Sequence, residues 1–186
     1  MRWNSNFAGL LIIFAVLTSG CIIASSTKPH WVHDVEWQGD VPGNVQEIET
    51  ALWTQIVPHN MEYETVNITS HREGDIYRIQ VVGISNASQY ADKYDFIVSG
   101  DTLTRTGYLL EAIPHYERNS AIATAMQNQE VRESGVSGNP TVRRILPETS
   151  KKYYAEKTLL SVTWTGVSAL VDPQEWRVVT VWRGDE

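Results

Sequence analysis

Two histidines and two carboxylates crowd into one short stretch, His30-Trp31-Val32-His33-Asp34-Val35-Glu36-Trp37. Imidazole and carboxylate groups are ligands for zinc, and a three-residue spacing would put His30 and His33 on one face of a helix. The glutamate placement of a zinc-peptidase helix is missing, however, and no third ligand is fixed. The stretch therefore reads as a strand-like lead-in whose aromatic side chains dock on the folded body, and no metal or cofactor is expected. A nucleophile elbow, a phosphate-cradling glycine loop and a paired-cysteine site are also missing. His59, His71 and His115 fall at the edges of predicted elements and receive no role. Catalytic sets dispersed along the chain leave no local pattern, so a serine–histidine–aspartate triad or a carboxylate pair is not identifiable at this level.

The tryptophans offer a second kind of chemistry. Trp176 and Trp182 stand six residues apart on a predicted last strand, with Trp164 on its neighbour. On an exposed face these three would make an aromatic platform for a sugar, a peptide or an envelope partner. Beneath a helix they would be core, which is the favoured reading because a one-layer sheet needs such a face to cover. Two glycosylation sequons, Asn67-Ile68-Thr69 and Asn86-Ala87-Ser88, mark Asn67 on the wet side of a strand and Asn86 in a loop.

The single cysteine, Cys21, ends the run Phe7-Ala8-Gly9-Leu10-Leu11-Ile12-Ile13-Phe14-Ala15-Val16-Leu17-Thr18-Ser19-Gly20-Cys21. One early cation (Arg2), an apolar stretch and small residues before a candidate cleavage point are the parts of an export signal. Thr18-Ser19-Gly20-Cys21 resembles the lipobox of prokaryotic lipoproteins, with Thr18 standing where leucine is usual. The resemblance implies cleavage before Cys21 and lipidation of its sulfur. Acyl chains contribute about 0.8 kcal/mol per buried methylene, so membrane lipid is the expected partner of Cys21. The apolar run extends through Ile23 and Ala24, and an uncleaved helical anchor is the alternative. Both readings put the remainder at the outer face of a cell membrane.

The chain carries a formal charge of −7, and Arg2 is the sole charged residue among the first twenty, which leaves −8 on the rest. A mildly acidic body repels phosphate backbones, so nucleic acid is not an expected partner. With one cysteine, the fold must bury its core without an internal disulfide.

The elements that would position these groups follow from periodicity. Asn44 and Glu47 suggest a capped helix with Val45, Ile48, Leu52 and Ile56 on its buried face, stopped by Pro58. Val66 and Ile68 alternate with Thr65, Asn67 and Thr69, and Ile79 and Val81 alternate with Arg78 and Gln80, as two antiparallel strands. Tyr94–Val98 and Leu103–Leu110 flank a hairpin at Ser99-Gly100-Asp101, with Thr102, Thr104, Thr106, Tyr108 and Leu110 assigned to one side. A second helix is expected over 119–134, capped by Asn119 or Ser120 and burying Ala121, Ile122, Ala125 and Met126. Strands at Val142–Leu146, Thr158–Thr165 and Ser168–Val171 follow. The last strand places Trp176, Val178, Thr180 and Trp182 on one face, opposite Arg177, Val179, Val181 and Arg183.

The second half resembles PepSY-type domains. The likeness lies in Ala121–Val131 as a leading helix, Pro140–Ile145 as the strand after it, and Ala169–Val179 as a closing hairpin. In that hairpin Asp172 matches the family's aspartate and reads as a turn-former, while Glu175 or Trp176 stands where a glycine is usual. The resemblance implies a cystatin-like fold and a non-catalytic binding or inhibitory role at the cell envelope, with a peptidase or other envelope protein as partner. The expected architecture is an α+β fold of tandem helix-on-antiparallel-sheet units following an N-terminal signal or anchor helix. Its expected divisions are a signal peptide (1–20), a lipidated cysteine and tether (21–41), a first α+β unit (42–114) and a second, PepSY-like unit (115–186). The expected function is a lipid-anchored extracytoplasmic binding or inhibitory module, against the alternative of an envelope hydrolase with dispersed catalytic residues.

Overall fold

The computed structural model describes residues 28–151 and 156–184. The signal segment, Cys21 and the start of the tether lie outside the described residues. Among the described residues no helix is long and apolar enough to cross a membrane.

The elements run β1 (Val35–Gly39), α1 (Val45–Gln55), β2 (Thr65–Glu73), β3 (Ile76–Ile84), β4 (Asp92–Ser99), β5 (Thr102–Leu110), α2 (His115–Gln127), α3 (Gln129–Glu133), β6 (Thr141–Ile145), α4 (Pro147–Ser150), β7 (Leu159–Trp164), β8 (Val167–Asp172) and β9 (Arg177–Arg183). All nine strands form one sheet in sequential order. β1 joins β2 in parallel, and every later neighbour is antiparallel.

This overturns the expected pair of separate helix-on-sheet units. Strand occupies 43% of the described residues and helix 22%, so the sheet dominates. The joint is the single pairing of Leu110 with Arg144, which docks the end of β5 on β6 across the α2–α3 excursion. Periodicity reports which residues of a strand face inward. It does not report which strand an edge will pair with, and here the two edges close on each other. One register row consequently crosses the entire sheet: Val35, Val66, Gly83, Asp92, Leu110, Arg144, Leu160, Val171 and Val178. Directly paired residues share a face, so this row defines one side of the sheet, the side on which α1 and α2 both pack.

Two apolar clusters lie along that side. Beneath α1 sit Ile48 and Leu52 with Val66, Ile68, Ile79, Val81, Tyr94, Phe96 and Leu110. Beneath α2 sit Ala121 and Ala125 with Val142, Leu160, Val162, Trp164, Ala169 and Val171. The lead-in docks as expected on the first cluster: Trp31 meets Trp53 and Tyr63 edge-on at 5.8 and 5.9 Å. Trp37 donates its indole N–H to Glu49 at 2.6 Å.

Two β-bulges overturn strand-face assignments made by strict alternation. In β5 the pairing steps from Asp95–Gly107 to Phe96–Arg105, leaving Thr106 extra. Thr102 and Thr104 therefore face away from Tyr108 and Leu110. In β9 it steps from Leu170–Thr180 to Val171–Val178, leaving Val179 extra. Val178 and Val181 thus both pack on the second cluster. One inserted residue inverts the parity of all that follow it.

The helix boundaries also shift. Asn44 makes no side-chain cap on α1. α2 starts at His115, four residues before the expected cap, with Pro114 at its N-terminal boundary. Arg118 and Ala121 are buried, whereas Met126 is exposed. Asn128 then breaks the helix, turning to φ −68° and ψ 135° while its side chain accepts the Glu130 and Val131 amides. Asn128 thus caps α3, satisfying two amides that would otherwise be orphaned.

Candidate functional site

The two clusters meet at a polar waist around the Leu110–Arg144 joint. On one side of Leu110 the Asp92 carboxyl is fully buried. Its Oδ2 accepts the Tyr63 hydroxyl at 2.7 Å and its Oδ1 accepts the Ala112 amide at 2.8 Å. Burial holds its pKa above the ordinary carboxylate range. Gly83 makes room for Tyr63, since a Cβ there would fall 2.8 Å from the ring. On the other side of Leu110, Arg144 makes a two-pronged pair with Glu117 of α2, Nη1 to Oε1 at 3.0 Å and Nη2 to Oε2 at 3.3 Å.

Arg144 opens onto a pocket of about 280 Å³ whose wall also includes His59, Asn60, Tyr116, Glu117, Thr158, Gln174 and Trp176. Two features set it apart. First, Arg144 Nε and His59 Nε2 are shielded from solvent and hydrogen-bond to nothing in the protein. Buried polar atoms are nearly always paired, so two orphans in one wall require a reason. Second, the described residues other than glycine with positive φ are His59 (49°), Asn60 (64°) and Trp176 (48°), and all three line this pocket. Each such conformation costs on the order of 1 kcal/mol or more, with asparagine the most tolerant, and this kind of strain gathers at functional sites.

The sequence explains both turns locally. Pro58-His59-Asn60-Met61 closes with the Met61 amide donating to the Pro58 carbonyl at 3.0 Å, and buried Met61 anchors it. Left-handed backbone at both central residues is the type I′ pattern. The β8–β9 turn is built on Asp172, whose Oδ1 accepts the amides of Gln174 and Glu175 at 2.9 and 3.4 Å. The chain re-enters β9 through left-handed Trp176, one of the two residues, with Glu175, that stand where the sequence resemblance leads one to expect glycine. Burial pushes the Asp172 carboxyl up, but the hydrogen bonds from Lys157 and those two amides outweigh it and hold the pKa below the ordinary range.

Electrostatically the pocket is polar without free charge. Glu117 neutralises Arg144, and burial together with the nearby guanidinium lowers the His59 pKa to about 4. His59 is therefore neutral at neutral pH. The arrangement can donate and accept hydrogen bonds around an aromatic rim, since Trp176 and Tyr116 are both exposed. A larger cleft of about 760 Å³ follows the open edge of β5, but its long polar side chains are engaged. Arg105 there bonds the Gln55 carbonyl and Glu148, and the Tyr108 hydroxyl donates to Thr149 and accepts the Leu146 amide.

The three tryptophans proposed as a platform are not brought together. Trp164 is core beneath α2. Trp182 pairs with Ser168 and so lies on the opposite face of the sheet from Trp164, which pairs with Val167. Trp176 alone joins the pocket. Asn67 lies within β2 between β1 and β3, its Oδ1 shielded from solvent, whereas Asn86 is exposed in a turn. His33 Nε2 sits 3.0 Å from Glu62, and among the described residues no three metal-ligating groups gather. Cys21 lies outside the described residues. His59, Asn60, Tyr116, Glu117 and Arg144 were not singled out by sequence, because they are far apart in the chain. The one local sign was the missing glycine of the closing hairpin, where Glu175 or Trp176 stands.

The chain matches no family model, no curated protein sequence and no solved structure.

Proposed function

We propose that the protein is a lipid-anchored extracytoplasmic binding module of the cell envelope, held at the membrane through Cys21 and taking its ligand at the waist pocket. The observation that carries the binding role is the convergence of His59, Asn60 and Trp176, all left-handed, on a pocket holding two unpaired buried polar atoms. A protein keeps such strain where a preorganised surface repays it on binding. The chemistry present favours recognition over turnover. Glu117 is locked in an ion pair, and a histidine with its pKa near 4 is a poor general base at neutral pH. The resemblance of residues 116–186 to PepSY-type domains supports a non-catalytic envelope role. An inhibitory form of that role, on a peptidase, rests on the resemblance alone.

Two measurements test the reading. Cys21→Ser is expected to abolish fatty-acid labelling and release the chain from the membrane fraction; persistent labelling overturns the anchor. The purified full chain is expected to turn over nothing on broad peptide and glycoside panels. Turnover abolished by His59→Ala would instead establish an envelope hydrolase.

A further inference from the structure

Resting on that binding role, we infer that the waist pocket takes a neutral carbohydrate, with a sugar ring against the Trp176–Tyr116 rim and its hydroxyls on the polar wall. Three observations select this class.

The first is charge. Arg144 is the cation of the pocket, and Glu117 already holds both its terminal nitrogens. The chain as a whole carries −7. An anion would meet no free positive group and a repelling field, and a cation would find the pocket's carboxylate occupied.

The second is hydrogen-bonding capacity. Arg144 Nε–H can only donate, and the neutral imidazole of His59 leaves Nε2 to donate or accept by tautomer. Asn60, Gln174 and Thr158 add amide and hydroxyl groups that do both. A hydroxyl donates and accepts at one atom, so a polyhydroxylated ligand matches this mixture, whereas a carboxylate would satisfy donors alone. Both orphaned atoms are shielded from solvent, so the ligand must displace the side chains that cover them.

The third is shape. Trp176 is 38% exposed and Tyr116 71%, so both keep apolar ring surface available at the mouth. Rings of this kind take the C–H faces of a sugar while its hydroxyls turn to the polar wall. A volume of about 280 Å³ sits at the small end of ligand pockets, the size for a terminal sugar or a disaccharide.

The test uses the full chain in a detergent that carries no sugar, titrated with cellobiose, maltose, lactose and diacetylchitobiose by calorimetry and tryptophan fluorescence. At least one is expected to bind with a dissociation constant in the millimolar range or below. Trp176→Gly is the informative variant, because it removes the ring and also relieves the left-handed backbone. It is expected to weaken binding roughly tenfold while raising Tm. Tyr116→Ala, on an exposed side chain, is expected to weaken binding about threefold with Tm unchanged. Sugar affinity unaffected by Trp176→Gly overturns the site assignment. Binding of amino acids or dicarboxylates in place of sugars overturns the carbohydrate class and leaves the binding module standing. Failure of both ligand sets overturns the class and the module together.

Discussion

The two clusters on the one sheet face are built from side chains of different size. Under α1 the filling is large: Trp31, Trp53, Tyr63, Tyr94 and Phe96 crowd beside Leu52. Under α2 the helix contributes the small residues Ala121 and Ala125 over Ala169, Val142, Val162 and Val171, with Trp164 the one ring of the cluster. Rings stand a helix off its sheet, whereas alanines let the backbones approach. Accordingly α2 comes into close backbone range of β6, β7, β8 and β9, while α1 does so mainly along β5. At the clusters' meeting line the row carries Asp92 and Arg144 on either side of Leu110, and the waist pocket opens beside Arg144. The pocket thus opens where the two clusters meet, and polar residues line it.

The aromatic end is expected to suffer from lost volume and the alanine end from added volume. Phe96→Ala empties a fully buried ring position and is expected to cost about 4 kcal/mol in urea unfolding at neutral pH. A loss below about 1 kcal/mol would show that the aromatic end repacks freely.

The waist itself should register in the pH dependence. The His59 pKa falls from 6.5 unfolded to about 4 folded, so the unfolded chain binds the extra proton between those values. This contribution is fully present above pH 6.5 and lost as pH falls toward 4, up to about 3 kcal/mol. Asp92 acts with the opposite sign. Its raised pKa contributes stability that is present below the unfolded value and lost as pH rises through the folded one. His59→Gln separates the two. It should flatten the acid limb of stability against pH, and an unchanged limb would assign that limb to other groups.

The smallest of these effects belongs to the alanine end. Ala125→Leu adds three carbons under a closely packed helix and is expected to cost about 2 kcal/mol, with lowered Tm. A neutral result would mean that α2 does not sit tightly on its strands.

Much of the element pattern was legible in residue order. Val66 and Ile68 alternate inward as read, Leu160, Val162 and Trp164 share the buried face, and Asp172 forms its turn. The failures have one cause each. Thr106 and Val179 are bulged residues, and alternation carries no mark of an insertion. Asn128 caps through an amide geometry that no helical period announces. The site was less legible still. His59 reads as an element-edge histidine without a role, Arg144 as one residue of a strand, and Trp176 as part of a strand face although it belongs to a turn.

By itself the sequence determined the inward faces of most strands, the amphipathic first helix and the turn at Asp172, because each depends on neighbours within a few residues. It also carries Cys21, on which the anchoring proposal stands. Tertiary structure alone decided that nine strands make one sheet and that a waist exists. Both depend on Leu110 meeting Arg144, a pairing between residues 34 positions apart that neither periodicity nor local charge encodes.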